Sequence, residues 1–220
     1  MKKILVLGLI LIGTTLQAQT IRDSIVTDPQ KQLNAAQTIL SGNYGKKVTI
    51  GAYGEITYNQ PEGDNGELDV QRFVLLVGYK FDDKTQFVSE IEVEHVEEIF
   101  VEQAFVNHSV SDNMSLRGGL MLVPMGIINE YHEPTTYNGV ERPAVDGLIV
   151  PSTWREIGVG VTGRFPEASI GYQAYVFNGF KSTSAGDSDG VNGALSGSSG
   201  LRGGRQKGIK STVDSPTFST

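Results

Sequence analysis

The chain has 220 residues (23.8 kDa), 39% hydrophobic and 20% charged, with 27 Gly, no Cys and a formal net charge of −7. With 25 acidic against 18 basic side chains and a pI near 5.0, it lacks the basic footprint needed to neutralise nucleic-acid phosphates. Without cysteine there is no disulfide framework, no thiolate metal site and no thiol nucleophile.

Residues 1–18 read as a secretory signal peptide: basic Lys2 and Lys3, an apolar run from Ile4 to Gly13, and small Ala18 before Gln19. The run falls well short of the roughly 20 apolar residues of a spanning helix. Cleavage there removes two lysines, leaving 16 basic against 25 acidic side chains and a net charge of −9. In residues 19–46, Asp28 as N-cap, Pro29 at the first helical position and Gly42 as the stop predict a short helix over Gln30 to Leu40. Its apolar stripe of Leu33, Ala36, Ile39 and Leu40 is narrow, so this segment is expected to be a lid, a plug or a periplasmic leader.

From residue 47 onward the pattern is β. Period-two alternation and turn punctuation predict about seven strands, each near membrane-crossing length when tilted. They are Lys47 to Asn59, Leu68 to Phe81, Thr85 to His95, Ile99 to Val110, Met114 to Val123, Glu156 to Phe165 and Ala168 to Asn178. Tight turns at Asp82-Asp83-Lys84, Ser111-Asp112-Asn113 and Pro166-Glu167 contrast with longer loops at Gln60 to Glu67 and Pro124 to Arg155. Short turns at one end and long loops at the other are the layout of an outer-membrane barrel.

The strand faces differ in polarity. Val48, Ile50, Ala52, Ile56 and Tyr58 oppose Thr49, Tyr53, Glu55, Thr57 and Asn59 on the first strand. On the second, Phe73, Leu75, Val77 and Tyr79 oppose Arg72, Val74, Leu76, Gly78 and Lys80. On the third, Phe87, Ile91 and Val93 oppose Val88, Glu90, Glu92 and Glu94. A row of three carboxylates cannot face a dry core, so it is expected to face water, outside a sandwich or inside a barrel. Gly158, Gly160 and Thr162 on the sixth strand are expected to leave room on the inner face. The fourth strand mixes Glu102 with Phe100, Ala104 and Val106, and Gln103 with Phe105 and Asn107, as a bulge would. Tyr58, Tyr79, Phe81, Phe165, Tyr175 and Phe177 lie near strand ends, as in an interfacial aromatic girdle.

Five stretches resemble the phosphate-selective porin O and P family in its Bacteroidetes-type form. They are Gly51-Ala52-Tyr53-Gly54-Glu55, Glu102-Gln103-Ala104-Phe105-Val106, Gly118-Gly119-Leu120 through Pro124-Met125-Gly126 to Glu130, Val140-Glu141-Arg142-Pro143, and Thr153-Trp154-Arg155-Glu156-Ile157-Gly158-Val159 leading to Gly163. The resemblance runs over roughly residues 47 to 180. It implies an all-β, antiparallel transmembrane barrel of sixteen strands, trimeric in the outer membrane, with a long third loop, here 124–155, folded into the lumen. Residues 47–220 would be the N-terminal portion of such a barrel, with a flexible Gly/Ser-rich stretch at 182–204. The family's phosphate selectivity rests on ladders of basic residues, where this chain carries carboxylates, so phosphate specificity is not expected to carry over.

A passive channel for small hydrophilic solutes or ions needs width, water and a field, and no cofactor or catalyst. The acidic candidates are Glu90, Glu92 and Glu94 on the wall with Glu130, Glu133, Glu141 and Asp146 on the loop; the basic ones are Arg72, Lys80, Arg117 and Arg142. The resemblance places Arg117 and the Glu141-Arg142 pair at the constriction; Trp154 is expected either to anchor the base of the loop or simply to pack there. His95 beside Glu92, Glu94, Glu97 and Glu98 offers metal-ligand types, yet a solvated imidazole at a strand end is expected to be a bystander. His95, His108 and His132 lie in separate segments with no serine elbow, which argues against a hydrolase. The competing fold is a secreted β-sandwich for binding or adhesion, whose apolar face would be buried inside a globule.

Overall fold

The computed structural model describes residues 33–42, 47–136, 138–148, 152–180, 200–213 and 216–220. The signal segment 1–18, the Asp28-Pro29 helix start and most of the Gly/Ser-rich stretch lie outside the described residues. Strands β1 (Val48–Asn59), β2 (Glu67–Lys80), β3 (Thr85–Glu94), β4 (Glu98–Ser111), β5 (Met114–Leu122), β6 (Arg155–Phe165), β7 (Ile170–Phe177) and β8 (Thr217–Ser219) form one antiparallel sheet in sequence order. Seven of them coincide with the predicted strands to within two residues at each end. The three-residue β8 has too short a pattern to be read from sequence.

The residues on facing strands line up in continuous rows. Glu55 pairs with Arg72, Arg72 with Glu94, Leu76 with Glu90, Val88 with Phe105, Asn107 with Arg117, Arg117 with Gly160 and Gly160 with Tyr175. Because side chains alternate across a strand, all of these lie on one face, the inner face. That face is the buried one: Arg72, Val74, Leu76, Val88, Glu90, Glu92 and Phe105 are each less than 9% exposed. The opposite face carries Val48, Ile50, Ile56, Phe73, Ile157, Val159 and Val176, all exposed. The usual polarity of a water-soluble sheet is therefore inverted, with charge inside and hydrocarbon outside. A second sheet to cover that outer face, as a sandwich requires, does not occur among the described residues.

Helix α1 (Ala35–Ser41) lies against this inner face, in contact with β1, β2 and β3. Its described N-terminus differs from the one expected at Asp28. Asn34 caps it, accepting from the Gln37 backbone N–H while the Gln37 side chain accepts from the Asn34 N–H, a reciprocal capping box. Ala35, Ala36 and Ile39 are buried in a cluster that also holds Val74, Leu76 and Val88. The helix is thereby packed onto the inner face of the sheet. Gly78 makes the fit possible, since a Cβ there would fall 2.2 Å from Ile39 Cγ2.

The suspected bulge in the fourth strand is present and sits at Glu102. Glu90 pairs with Gln103 but Ile91 pairs with Val101, so Glu102 is the extra residue opposite the step. The bulge changes the phase of β4, and Glu102, Gln103, Phe105 and Asn107 all become buried. Two other expectations need correction. Tyr175 and Phe177 belong to the inner face, 4% and 2% exposed, and not to an outer girdle, whereas Tyr58, Tyr79, Phe81 and Phe165 are exposed. Nor do Gly158 and Gly160 leave open room: a Cβ on either would strike the ring of Phe177 or Tyr175 at 2.5 Å.

Candidate functional site

The long segment between β5 and β6 folds back onto the inner face. It contains 3-10 turns at Asn129–Tyr131 and Pro134–Thr136 and a short helix, α2 (Ala144–Leu148). Its neck is closed by polar contacts. The Asn129 amide donates to Val123 O (2.7 Å) and Trp154 O (2.9 Å), and Asn129 Oδ1 accepts from Trp154 N (2.7 Å). The Trp154 indole N–H donates to Glu156, and its ring packs 5.0 Å from that of Phe180. Trp154 thus stands at the base of the loop, bonded to Asn129 and packed against Phe180.

Past the neck, the loop is tied at three places, two on the wall and one on α1. His132 is 1% exposed; Nδ1 contacts Asn129 O at 3.1 Å and Nε2 contacts Glu102 Oε2 at 2.7 Å. Both partners are acceptors, so both ring nitrogens act as donors. Burial by itself would lower the His132 pKa, but the charge and hydrogen bond of Glu102, with Glu90 and Glu133 nearby, raise it to about 9. Glu133 Oε1 accepts from the Ala35 N–H at 2.8 Å, tying the loop to α1. Glu130 accepts from Gln173 Nε2 of β7, and its burial raises its pKa against the opposing influence of Gln173 and Arg117.

The wall residues form a charged network. Arg72 donates to Glu55 and to Glu92, both at 2.8 Å, and Arg155 lies 3.6 Å from Glu102. Glu90, 0% exposed, accepts from Gln103 on Oε2, while its Oε1 has no hydrogen-bond partner. Arg117 lies over the Phe105 ring and donates to Asn107 and, at 3.4 Å, to Tyr175. Charges buried this deeply persist only where partners or water compensate them.

Beside the network opens a cleft of about 630 Å³, bordered by Glu55, Asp69, Arg72, Glu94, His95, Glu141, Arg142 and Arg202. His95 Nδ1 contacts Asp69 at 2.7 Å, and Arg142 donates to Ser152 Oγ.

The expected site residues therefore fall into groups. Arg72, Glu94, Glu141 and Arg142 border the cleft, and Glu90, Glu92 and Glu133 belong to the network behind it. Arg117 and Glu130 meet around Tyr175 and Gln173. Lys80 is on the inner row but at the far end of β2, paired with exposed Asp83 of the turn at 3.3 Å. Asp146, in α2, is not among the residues bordering the cleft. Sequence reasoning missed Glu55, Glu102, Asn129, His132 and Arg155 as members of the site. Glu102 was hidden by the bulge, and the signal for it was the mixed polarity of β4.

The fold and site together define an antiparallel β-sheet protein with a charged, loop-covered inner face and an exposed apolar outer face. The chain is 39% identical over 183 residues to an uncharacterised protein of Aquifex aeolicus. The match covers 79% of this chain and 40% of that relative. No family model matches the chain, and no solved structure matches it.

Proposed function

We propose that this chain forms wall, constriction loop and plug of a water-filled channel in the bacterial outer membrane, passing small hydrophilic solutes or ions by diffusion. The observation that carries the reading is the inverted polarity of the sheet. Exposed Val48, Ile50, Ile56, Ile157 and Val159 face outward while Arg72, Glu90, Glu92 and Glu102 are buried inward. In water this arrangement exposes hydrocarbon; in a bilayer the outer face meets its preferred solvent, while the buried inner charges are compensated by one another. The folding of segment 124–154 onto the inner face, and the mixed charge of the cleft, suit a constriction that selects by field.

The cleft is bordered by Glu55, Glu67, Asp69, Glu94 and Glu141 against Arg72, Arg142 and Arg202, so cations and neutral solutes are favoured over anions such as phosphate. Trimeric assembly in outer-membrane lipid belongs to the same proposal. The test is reconstitution in a planar bilayer, under a salt gradient, of the whole detergent-solubilised barrel, this chain together with the further strands the resemblance implies. Discrete conductance steps with a cation-selective reversal potential are expected. A protein monomeric in plain buffer and silent in the bilayer overturns the channel in favour of a secreted binding protein.

A further inference from the structure

We propose that Glu90, Glu102 and His132 form a binding site for one first-row divalent transition cation, which fastens the inner loop to the wall. One donor atom from each of these three buried side chains lies within 4.8 Å of the others. They come from three separate segments: β3, the bulge of β4, and the turn of the loop at 132. Closing them on an ion at bond lengths of about 2.0–2.2 Å calls for a contraction of roughly an ångström, within reach of side-chain rotation.

Independently of this convergence, Glu90 is a buried carboxylate with no cation at ion-pair distance among the described residues, His132 being turned to Glu102 instead. Glu92 has Arg72, and Glu102 has Arg155 and His132. Glu90 makes no salt bridge among the described residues; it has one amide donor, from Gln103, and its Oε1 has none. Glu133 Oε2 is likewise buried without a donor, and the Glu133 charge acts on His132. Buried carboxylates are ordinarily paired or bound to metal, and an ion at this point supplies the missing positive charge.

The surroundings match those of a metal ligand set. The Asn129 carbonyl at 3.1 Å from His132 Nδ1 fixes the ring so that Nε2 faces the carboxylates. Gln103 orients Glu90 and Arg155 lies beside Glu102 in the same outer role. On binding, the cation takes the place of the proton on His132 Nε2, which leaves to solvent. One imidazole with two carboxylates suits Zn²⁺ better than Mg²⁺ or Ca²⁺, which prefer all-oxygen sets. The site does not depend on the channel reading, since it would serve to pin the loop in any environment of the sheet.

The test is equilibrium dialysis of the EDTA-stripped, detergent-solubilised chain against Zn²⁺, with metal counted by mass spectrometry and thermal unfolding followed with and without Zn²⁺. One Zn²⁺ per chain and a rise in Tm are expected. H132A and E90Q should each weaken binding at least tenfold and abolish the Tm shift, while a variant lacking both His95 and His108 retains them. E90Q preserves size and polarity, so it reads the site even if H132A fails to fold. Zinc-edge absorption should show one imidazole among oxygen donors. Absence of stoichiometric Zn²⁺, or Zn²⁺ binding unchanged in E90Q, overturns the site.

Discussion

Asn129 and Trp154 exchange backbone and side-chain hydrogen bonds across the neck of the inner loop, Trp154 N donating to Asn129 Oδ1 at 2.7 Å and Asn129 Nδ2 donating to Trp154 O at 2.9 Å. With a third bond to Val123 O, one side chain that is 1% exposed satisfies three buried backbone groups. Asn129→Ala strands the Trp154 N–H, while Val123 O and Trp154 O keep the backbone donors Met125 N–H and Val123 N–H, so the cost is about 1–3 kcal/mol. The expected result is a lower urea midpoint and faster proteolysis within 124–154. Asn129→Asp should be at least as damaging, because it sets a carboxylate oxygen against two carbonyls. Unchanged proteolysis in both would show that the neck is held elsewhere.

Ile39 of α1 packs over Gly78 of the wall. Truncating Ile39 to Ala removes a side chain that is 3% exposed and should weaken helix docking by about 2–4 kcal/mol. Gly78→Val should undock the helix from the other side, since its Cβ meets Ile39 Cγ2. Spin labels on Thr38 would report greater motion in both variants, and on the proposed channel reading conductance should rise as the helix loosens.

The outer face offers a direct test of its solvent. Val159 is 63% exposed in the middle of β6. In lipid, Val159→Arg should cost about 2–4 kcal/mol of folding free energy and suppress insertion into vesicles. On a water-exposed surface the same change would cost less than about 0.5 kcal/mol. Thr57→Arg, which borders the inner cleft, should insert normally and move the reversal potential toward anions.

Arg72 balances two carboxylates, one of them 1% exposed. Arg72→Gln leaves Glu92 buried beside a neutral amide and is expected to destabilise the sheet by about 3–5 kcal/mol. Adding Glu92→Gln should restore much of that loss, because both members of the pair are then uncharged. Chemical denaturation of the two single variants and the double variant measures the coupling. Additive losses would place the Arg72 contribution in packing alone.

Asp82 gives a pH dependence with a definite sign. Its carboxylate accepts from the Lys84 and Thr85 backbone N–H groups in the β2–β3 turn, at 2.8 Å each. The Lys84 contact leads the effects that hold its pKa below the ordinary 3.8. Folding therefore favours the ionised form, so this contribution is present above pH 3.8 and disappears as pH falls through the lower folded value. Asp82→Ala should lower Tm at pH 7 and make a smaller difference near the acid limit. A decrement constant over that range would mean that the ionised carboxylate is not what the turn uses.

Much of the wall was legible before any coordinate. Strand limits, the tight turns at 82–84 and 166–167, and the two-faced character of β1 to β3 all follow from period-two patterning and turn chemistry, which act over a few neighbouring residues. The long loop at 124–155 was likewise readable, from its Gly, Pro and Asn between two alternating runs. Local rules could also announce that β4 was irregular, since Glu102 and Gln103 cannot both follow the alternation.

What tertiary structure alone decided is where the polar groups meet. The insertion of one residue at Glu102 turns that carboxylate inward, and no propensity states which residue of a mixed strand will be the extra one. His132 reaches Glu102 across 30 positions, and Glu133 reaches Ala35 across 98, only because the loop returns to the inner face. Tyr175 and Phe177 looked like members of an outer girdle, yet their place was set by the hollows above Gly160 and Gly158. The sequence by itself determined an all-β chain with one apolar and one polar face to each strand. The closing of the loop, the bulge and the docked helix determined which charges share a site, because those contacts are made between segments far apart in the chain and carry no local pattern.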